Sequence, residues 1–99
     1  MSEETEKVVV SSVREALKAI GSGKVAGASA SQVEQCAKIG AFMDRRPFLG
    51  GILQSLLLHK YQHDTGATAI DWGNFLTWLT TNMPAILQMI MSILAMFGA

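Results

Sequence analysis

The last 28 residues of this 99-residue chain contain no charged side chain and no histidine. This uncharged segment begins at Trp72, and all 8 basic and all 8 acidic residues precede it. As one helix rising ~1.5 Å per residue, it would be about 42 Å long, which exceeds the ~30 Å hydrocarbon core of a bilayer. The sequence therefore divides into a helical region at 1–70 and a hydrophobic helical segment at 71–99.

The first region opens with apolar residues at helical spacing, namely Val9, Val13, Ala16 and Ile20. Their spacing of 3 and 4 predicts an amphipathic helix over residues 3–20 that ends at Gly21. Residues 21–30 are almost all Gly, Ser and Ala, a composition that predicts a flexible linker.

Two further helices are predicted before the uncharged segment. Ser31–Glu34 fits a capping box, and Pro47 disfavours helical geometry at Arg46, so the second helix should end near Asp44–Arg46. Pro47 can open a third helix, whose apolar stripe runs from Leu49 to Leu57. Gly50–Gly51 weakens its first turn, which close approach of another backbone would explain. Residues 63–70 are expected to form a loop.

The uncharged segment permits two interpretations. Asp71 is a good N-cap for a helix that continues to the end of the chain, and Pro84 can kink that helix. The predicted fold is then all-α, with three short amphipathic helices followed by a long, uncharged helix. Alternatively, Thr81 or Asn82 caps a second helix with Pro84 in its first turn. The segment then forms two short helices, at 71–80 and 83–98. The second is too short for a comfortable span and is better suited to a buried or interfacial position.

Polar and small residues in the uncharged segment fall at spacings of 3 or 4, so a single helix would carry them as one stripe. They are Asn74, Thr77, Thr81, Ala85, Gln88, Ser92 and Ala95. Membrane helices often pack through such positions and show apolar groups to lipid. The stripe is therefore predicted to be a helix-packing seam, with Trp72 and Trp78 as candidate anchors at the headgroup level.

No catalytic, cofactor or metal site is predicted. The spacing of His59 and His63 suits two ligands of one metal, but the chain has no other His and its single Cys36 is distant. Cys36 is expected to be a small buried residue rather than a reactive thiol. Net charge is zero and no basic cluster is larger than Arg45–Arg46, which argues against nucleic-acid binding. The chain is expected not to be an enzyme.

Arg45, Arg46 and Lys60 form a candidate contact with an anionic surface, either lipid headgroups or an acidic partner. For Arg45 and Arg46, the simpler explanation is that positive charge stabilises a helix C-terminus. No basic residue follows Lys60. If the uncharged segment spans a bilayer, the N-terminus is expected on the cytoplasmic or interior side.

Two functional hypotheses remain. The first is a non-enzymatic, self-associating structural protein that is membrane-associated through its C-terminal segment, of the virion-membrane, holin-like or anchored-adaptor type. The alternative is a soluble oligomeric assembly or partner-binding subunit, cytoplasmic or within a particle, with the C-terminal helix in the oligomer core. Both predict a homo-oligomer, and helical apolar faces could also bind a protein partner. A membrane-active toxin is disfavoured because such peptides are usually cationic.

Overall fold

Five α-helices joined by short connections make up residues 9–98, which are the residues that the computed structural model describes. The helices are α1 (Val13–Gly21), α2 (Ala30–Arg45), α3 (Pro47–Thr65), α4 (Trp72–Thr81) and α5 (Met83–Met96). The prediction of an all-α fold is confirmed, and this part of the chain contains no strand.

The first helix starts later than its apolar periodicity predicted. Ser12 is the N-cap, and its hydroxyl accepts a hydrogen bond from the Glu15 amide at 3.1 Å. In return the Glu15 carboxylate accepts from the Ser11 amide at 2.8 Å, which fixes the chain in a non-helical conformation before Val13. The helix ends at Gly21 as predicted, while residues 3–8 of the predicted helix lie outside the described residues.

The capping box of α2 lies two residues before the predicted one. The Gln32 amide donates to the Ser29 hydroxyl at 3.2 Å, and the Ser29 amide donates to the Gln32 side-chain oxygen at 3.0 Å. Glutamine can occupy the last position of a capping box as well as glutamate, so Ser29–Gln32 and Ser31–Glu34 both fit the motif in the sequence. Pro47 opens α3 as predicted, and that helix continues to Thr65, where Gly66 caps it with a φ of 73°.

The prediction of one long C-terminal helix is wrong, and the two-helix alternative is correct. Helices α4 and α5 are bent by 87° at Asn82. The Asn82 amide and its side-chain Nδ2 both donate to the Trp78 carbonyl, at 3.0 and 2.9 Å, which ends α4. Its own carbonyl accepts from the Ile86 amide at 3.0 Å, which begins α5 with Pro84 in the first turn.

This break limits what either helix can span. By length and apolar content, none of the helices in residues 9–98 could cross a membrane alone. Helices α4 and α5 taken together meet the same requirements as a bent pair.

All five helices contribute to one apolar core, and α4 and α5 turn their apolar faces into it. The largest fully buried side chains are Leu17, Ile20, Ile39, Leu53, Leu57, Tyr61, Phe75, Leu79, Met83, Ile86 and Ile90, with Val13 beside them. Among the described residues no charged side chain is buried. The apolar face of the C-terminal segment is therefore covered by the same chain.

Two glycines allow helices to approach closely. A Cβ atom on Gly21 would lie 2.7 Å from the Cα of Ala37, so α1 and α2 meet there at backbone distance. A Cβ atom on Gly50 would lie 3.2 Å from the Cα of Met43. The expected close approach at Gly50–Gly51 thus applies to Gly50, since a Cβ on Gly51 would meet nothing within 4 Å.

We predict that Gly21→Ala destabilises the protein by about 1–3 kcal/mol, because α1 and α2 must separate to admit the methyl group. The matched change Gly51→Ala should stabilise it by about 0.5–1 kcal/mol, because alanine favours helix and the space is open. Urea unfolding followed by circular dichroism measures both. Equal stability of the two variants would contradict the helix contact described here.

Candidate interaction surfaces

The structure places all seven residues of the predicted seam on the outside of the chain. Asn74, Thr77 and Thr81 are exposed on α4, and Ala85, Gln88, Ser92 and Ala95 are exposed on α5. The bend at Asn82 divides them into two groups, one on each helix. We call these seven residues the outer face. Within residues 9–98 all seven are left exposed, so their packing against a partner stays a prediction.

The outer face lies on a segment without charge. Its exposed neighbours Gly73, Pro84, Met91 and Met96 are also uncharged, as is every residue from 72 to 98. Surfaces that face water commonly have about 25–35% charged residues. The cores of protein interfaces are depleted of charge. In composition the outer face therefore resembles a contact surface more than a solvated one.

Hydrogen bonds within the chain already engage part of the outer face. Asn74 Nδ2 donates to the Tyr61 hydroxyl at 3.1 Å, and the Thr77 hydroxyl donates to the Gly73 carbonyl at 3.2 Å. Gln88 is exposed beside Met91, where α5 and the start of α2 form a shallow groove. The amide side chain of the α5 half is therefore the exposed Gln88, whereas Asn74 of the α4 half is hydrogen-bonded to Tyr61.

An aromatic cluster joins α3 to α4. The ring centroids of Tyr61 and Phe75 are 5.4 Å apart, and those of Tyr61 and Trp78 are 5.5 Å apart, both edge to face. Trp78 is buried there, and its Nε1 donates to Asp64 at 3.2 Å. The sequence does not predict this cluster, because Trp78 lies in an uncharged segment where it is a candidate anchor at the headgroup level.

The three predicted basic contacts do not lie together. Lys60 forms an ion pair with Asp64 at 3.5 Å, about 18 Å along the axis of α3 from Phe48. Partial burial opposes ionisation of Asp64, but hydrogen bonds from Trp78 and His63 and the charge of Lys60 outweigh it and lower the Asp64 pKa. Lys60 is therefore part of the α3–α4 contact.

Arg45 and Arg46 instead lie beside exposed aromatic side chains. Phe48 is 79% exposed at the start of α3, and Phe97, just after α5, is 47% exposed. We call this region the basic–aromatic surface, and its lining residues are Arg45, Arg46, Pro47, Phe48, Leu49 and Phe97. The sequence pattern did not single out Phe48 or Phe97 as surface residues. One signal was present for Phe48, since it is a large apolar residue that lies outside the apolar stripe of α3.

Asp44 lies next to this surface in the sequence and forms ion pairs with two basic residues of α1. Its carboxylate accepts from Lys18 Nζ at 2.6 Å and from Arg14 at 3.1 Å. The hydrogen bond from Lys18 and the two positive charges lower the Asp44 pKa. These contacts tie the end of α2 to α1 and compensate the acidic charge next to Arg45 and Arg46.

Within residues 9–98 the other chemically distinctive side chains do not assemble into a metal site. Among residues 9–98 no three His, Cys, Asp or Glu side chains are placed to hold a metal ion. The burial predicted for Cys36 is confirmed, and it raises the thiol pKa to about 11. Its Sγ lies 3.7 Å from the Met83 sulfur, at the contact between α2 and α5. The chain matches no family model, no curated protein and no solved structure.

We predict that Asp44→Asn lowers the free energy of unfolding at neutral pH and that this loss shrinks as pH falls. A folded-state pKa below the unfolded value of about 3.9 means that the ionised carboxylate stabilises the fold above that pH. The contribution disappears as pH drops through the folded pKa. Denaturant unfolding of the wild type and the variant at pH 7, at about pH 4 and below about pH 3 measures the difference.

Glu34→Gln is the control for this prediction. Glu34 pairs with Lys38 of its own helix at 3.8 Å, and both side chains are mostly exposed. It should change stability little at any of these pH values. An Asp44→Asn effect that is equal at neutral and at acidic pH would show that the ion pairs with α1 do not contribute as described.

Proposed function

We propose that this protein is a non-enzymatic, self-associating, small helical structural subunit, and that copies meet through the outer face of α4 and α5. The observation that carries the proposal is the outer face itself, which consists of seven exposed, uncharged residues on two helices that contain no charged side chain. Burying such a face requires no charge to be desolvated, which is the main cost of burying an ordinary protein surface.

The α5 half of the outer face suits contact between helices. Ala85, Ser92 and Ala95 are small and lie on the exposed side of α5, so a second helix can approach its backbone closely. Gln88 lies between them and can exchange hydrogen bonds with its equivalent in another copy. Met91 is 47% exposed beside it and can adapt its shape to a partner.

The positions of the apolar side chains in α4 and α5 support one kind of assembly over the other. Phe75, Leu79, Ile86 and Ile90 are buried within the chain, so these four apolar side chains of α4 and α5 are not available to lipid in this conformation. This favours the soluble alternative, an oligomeric assembly or partner-binding subunit with the C-terminal helices at the centre of the oligomer.

We predict a detergent-free oligomer of defined mass that the double variant Gln88→Lys, Ser92→Lys dissociates. Two lysines at the centre of an uncharged contact must be desolvated beside their equivalents in the other copy, which should raise the dissociation constant at least tenfold. Size-exclusion chromatography with light scattering measures the mass over a range of protein concentration.

The matched control is Ala41→Lys, Gln54→Lys, which adds the same charge at exposed positions of α2 and α3. It should leave the mass unchanged, while circular dichroism verifies that both variants are folded. A monomeric wild type at tens of micromolar, or a Gln88→Lys, Ser92→Lys variant of unchanged mass, would contradict the proposed contact.

Membrane association through the C-terminal segment is the second candidate. It is favoured by one observation, namely that α4 and α5 together meet the length and composition of a bent span. Insertion would require the pair to leave the core and show Phe75, Ile86 and Ile90 to lipid, with the N-terminus on the cytoplasmic or interior side. The virion-membrane, holin-like and anchored-adaptor types all belong to this candidate.

For this candidate we predict that the full-length protein stays with membranes after alkaline carbonate washing, because an inserted segment is held by apolar burial rather than by charge. Ile86→Asp should abolish that resistance, since a carboxylate at the centre of an inserted helix is costly. Complete release of the wild-type protein by carbonate without detergent would exclude insertion.

A further inference from the structure

We propose that the basic–aromatic surface docks onto an anionic lipid bilayer, with Phe48 and Phe97 entering the headgroup region and Arg45 and Arg46 contacting lipid phosphates. This is peripheral binding by the folded protein and differs from insertion of α4 and α5. It does not depend on self-association, because one copy of the chain carries the whole surface.

The aromatic side chains of this surface are exposed. Phe48 is 79% exposed and Phe97 is 47% exposed, although the two belong to distant parts of the sequence. The apolar area continues along α3 over Ile52 and Leu56, which line a neighbouring shallow depression together with Phe48. Clustered exposed apolar groups of this kind mark sites of protein or membrane interaction.

The charge at this end of the molecule complements a negative surface. Arg45 and Arg46 are exposed beside Phe48, and the neighbouring Asp44 is already compensated by Arg14 and Lys18. The Arg46 guanidinium lies 5.8 Å from the centre of the Phe42 ring, which orients it at the surface. Arginine can bind phosphate oxygens through two parallel hydrogen bonds, which makes it well suited to lipid phosphates.

The arrangement of these groups favours a bilayer over an acidic protein. Phe48 and Phe97 are exposed with the guanidinium groups of Arg45 and Arg46 beside them, so both kinds of group can reach a broad, soft interface at once. Aromatic residues settle at the boundary between headgroups and acyl chains, while each nearby basic residue adds electrostatic attraction to anionic lipid. An acidic protein would have to offer a pocket for each protruding ring as well as a negative patch.

Co-sedimentation of the full chain with large vesicles tests the proposal. One set contains phosphatidylcholine alone, and the other contains about one third phosphatidylserine. The wild type should bind the anionic vesicles at least tenfold more strongly than the neutral ones. Most of the bound protein should be released when salt rises from about 0.1 to about 0.5 M, because exposed charges are then screened.

Variants divide the interaction into its two parts. Arg45→Gln, Arg46→Gln should lower the partition coefficient on anionic vesicles roughly 20- to 30-fold, given the usual contribution of two basic residues near such a surface. Phe48→Ser should lower it about tenfold, whereas Phe48→Leu should retain most of the binding because it keeps an apolar group. Circular dichroism establishes that each variant is folded.

The matched control is Lys24→Gln, Lys38→Gln, which removes the same charge from exposed positions outside the basic–aromatic surface. It should change binding by less than about threefold, because charges away from the contact are screened. Equal loss in the control and in the arginine variant would overturn the site. Absence of binding to anionic vesicles would overturn the lipid assignment and leave an acidic protein as the occupant.

Discussion

Pro84 has no amide hydrogen, so a continuous helix from Trp72 to Met96 would leave the Thr80 carbonyl without its usual partner. The chain resolves this by ending one helix and beginning another at Asn82, which supplies hydrogen-bonding groups to both. The 87° bend that results is what allows α5 to contact α2 while α4 contacts α3. A straight uncharged helix could not place both of its halves against the same small core.

The bend also separates the two roles of the uncharged segment. Its large apolar side chains enter the core and supply α1–α3 with the partner that a region of that size needs. Its small and polar side chains remain outside as the outer face. The charges of the molecule lie outside it, and Asp44, paired with Arg14 and Lys18, fastens α2 to α1 next to the basic–aromatic surface. One end of the bundle thus presents arginine and phenylalanine, while α4 and α5 present a surface without charge.

Much of this could be predicted from sequence, because the local signals are strong. Gly21 ends α1, Pro47 opens α3, and Asp71 caps α4 through the Asn74 amide at 3.1 Å. The break at Asn82 could be stated only as an alternative, since a proline can either kink one helix or occupy the first turn of the next. Tertiary packing decides between those outcomes, and the spacing of apolar residues along the sequence carries no information about tertiary packing.

The seam shows a second limit of such patterns. Helical periodicity identifies which residues share a face, but it does not say whether that face meets lipid, protein or water. The same limit hid the basic–aromatic surface, because Phe48 and Phe97 are 49 residues apart in the sequence and become neighbours only when α5 returns to the start of α3.

The central claim is that α4 and α5 dock on α1–α3 within one chain, and the single cysteine reports this directly. Cys36 is fully buried against Met83 of α5, and its thiol pKa is raised to about 11. The rate at which a thiol reagent labels Cys36 in detergent-free, native protein should be at least a hundredfold below the rate in denaturant. Labelling at the same rate in both conditions would show that α5 does not cover α2 and would contradict the account.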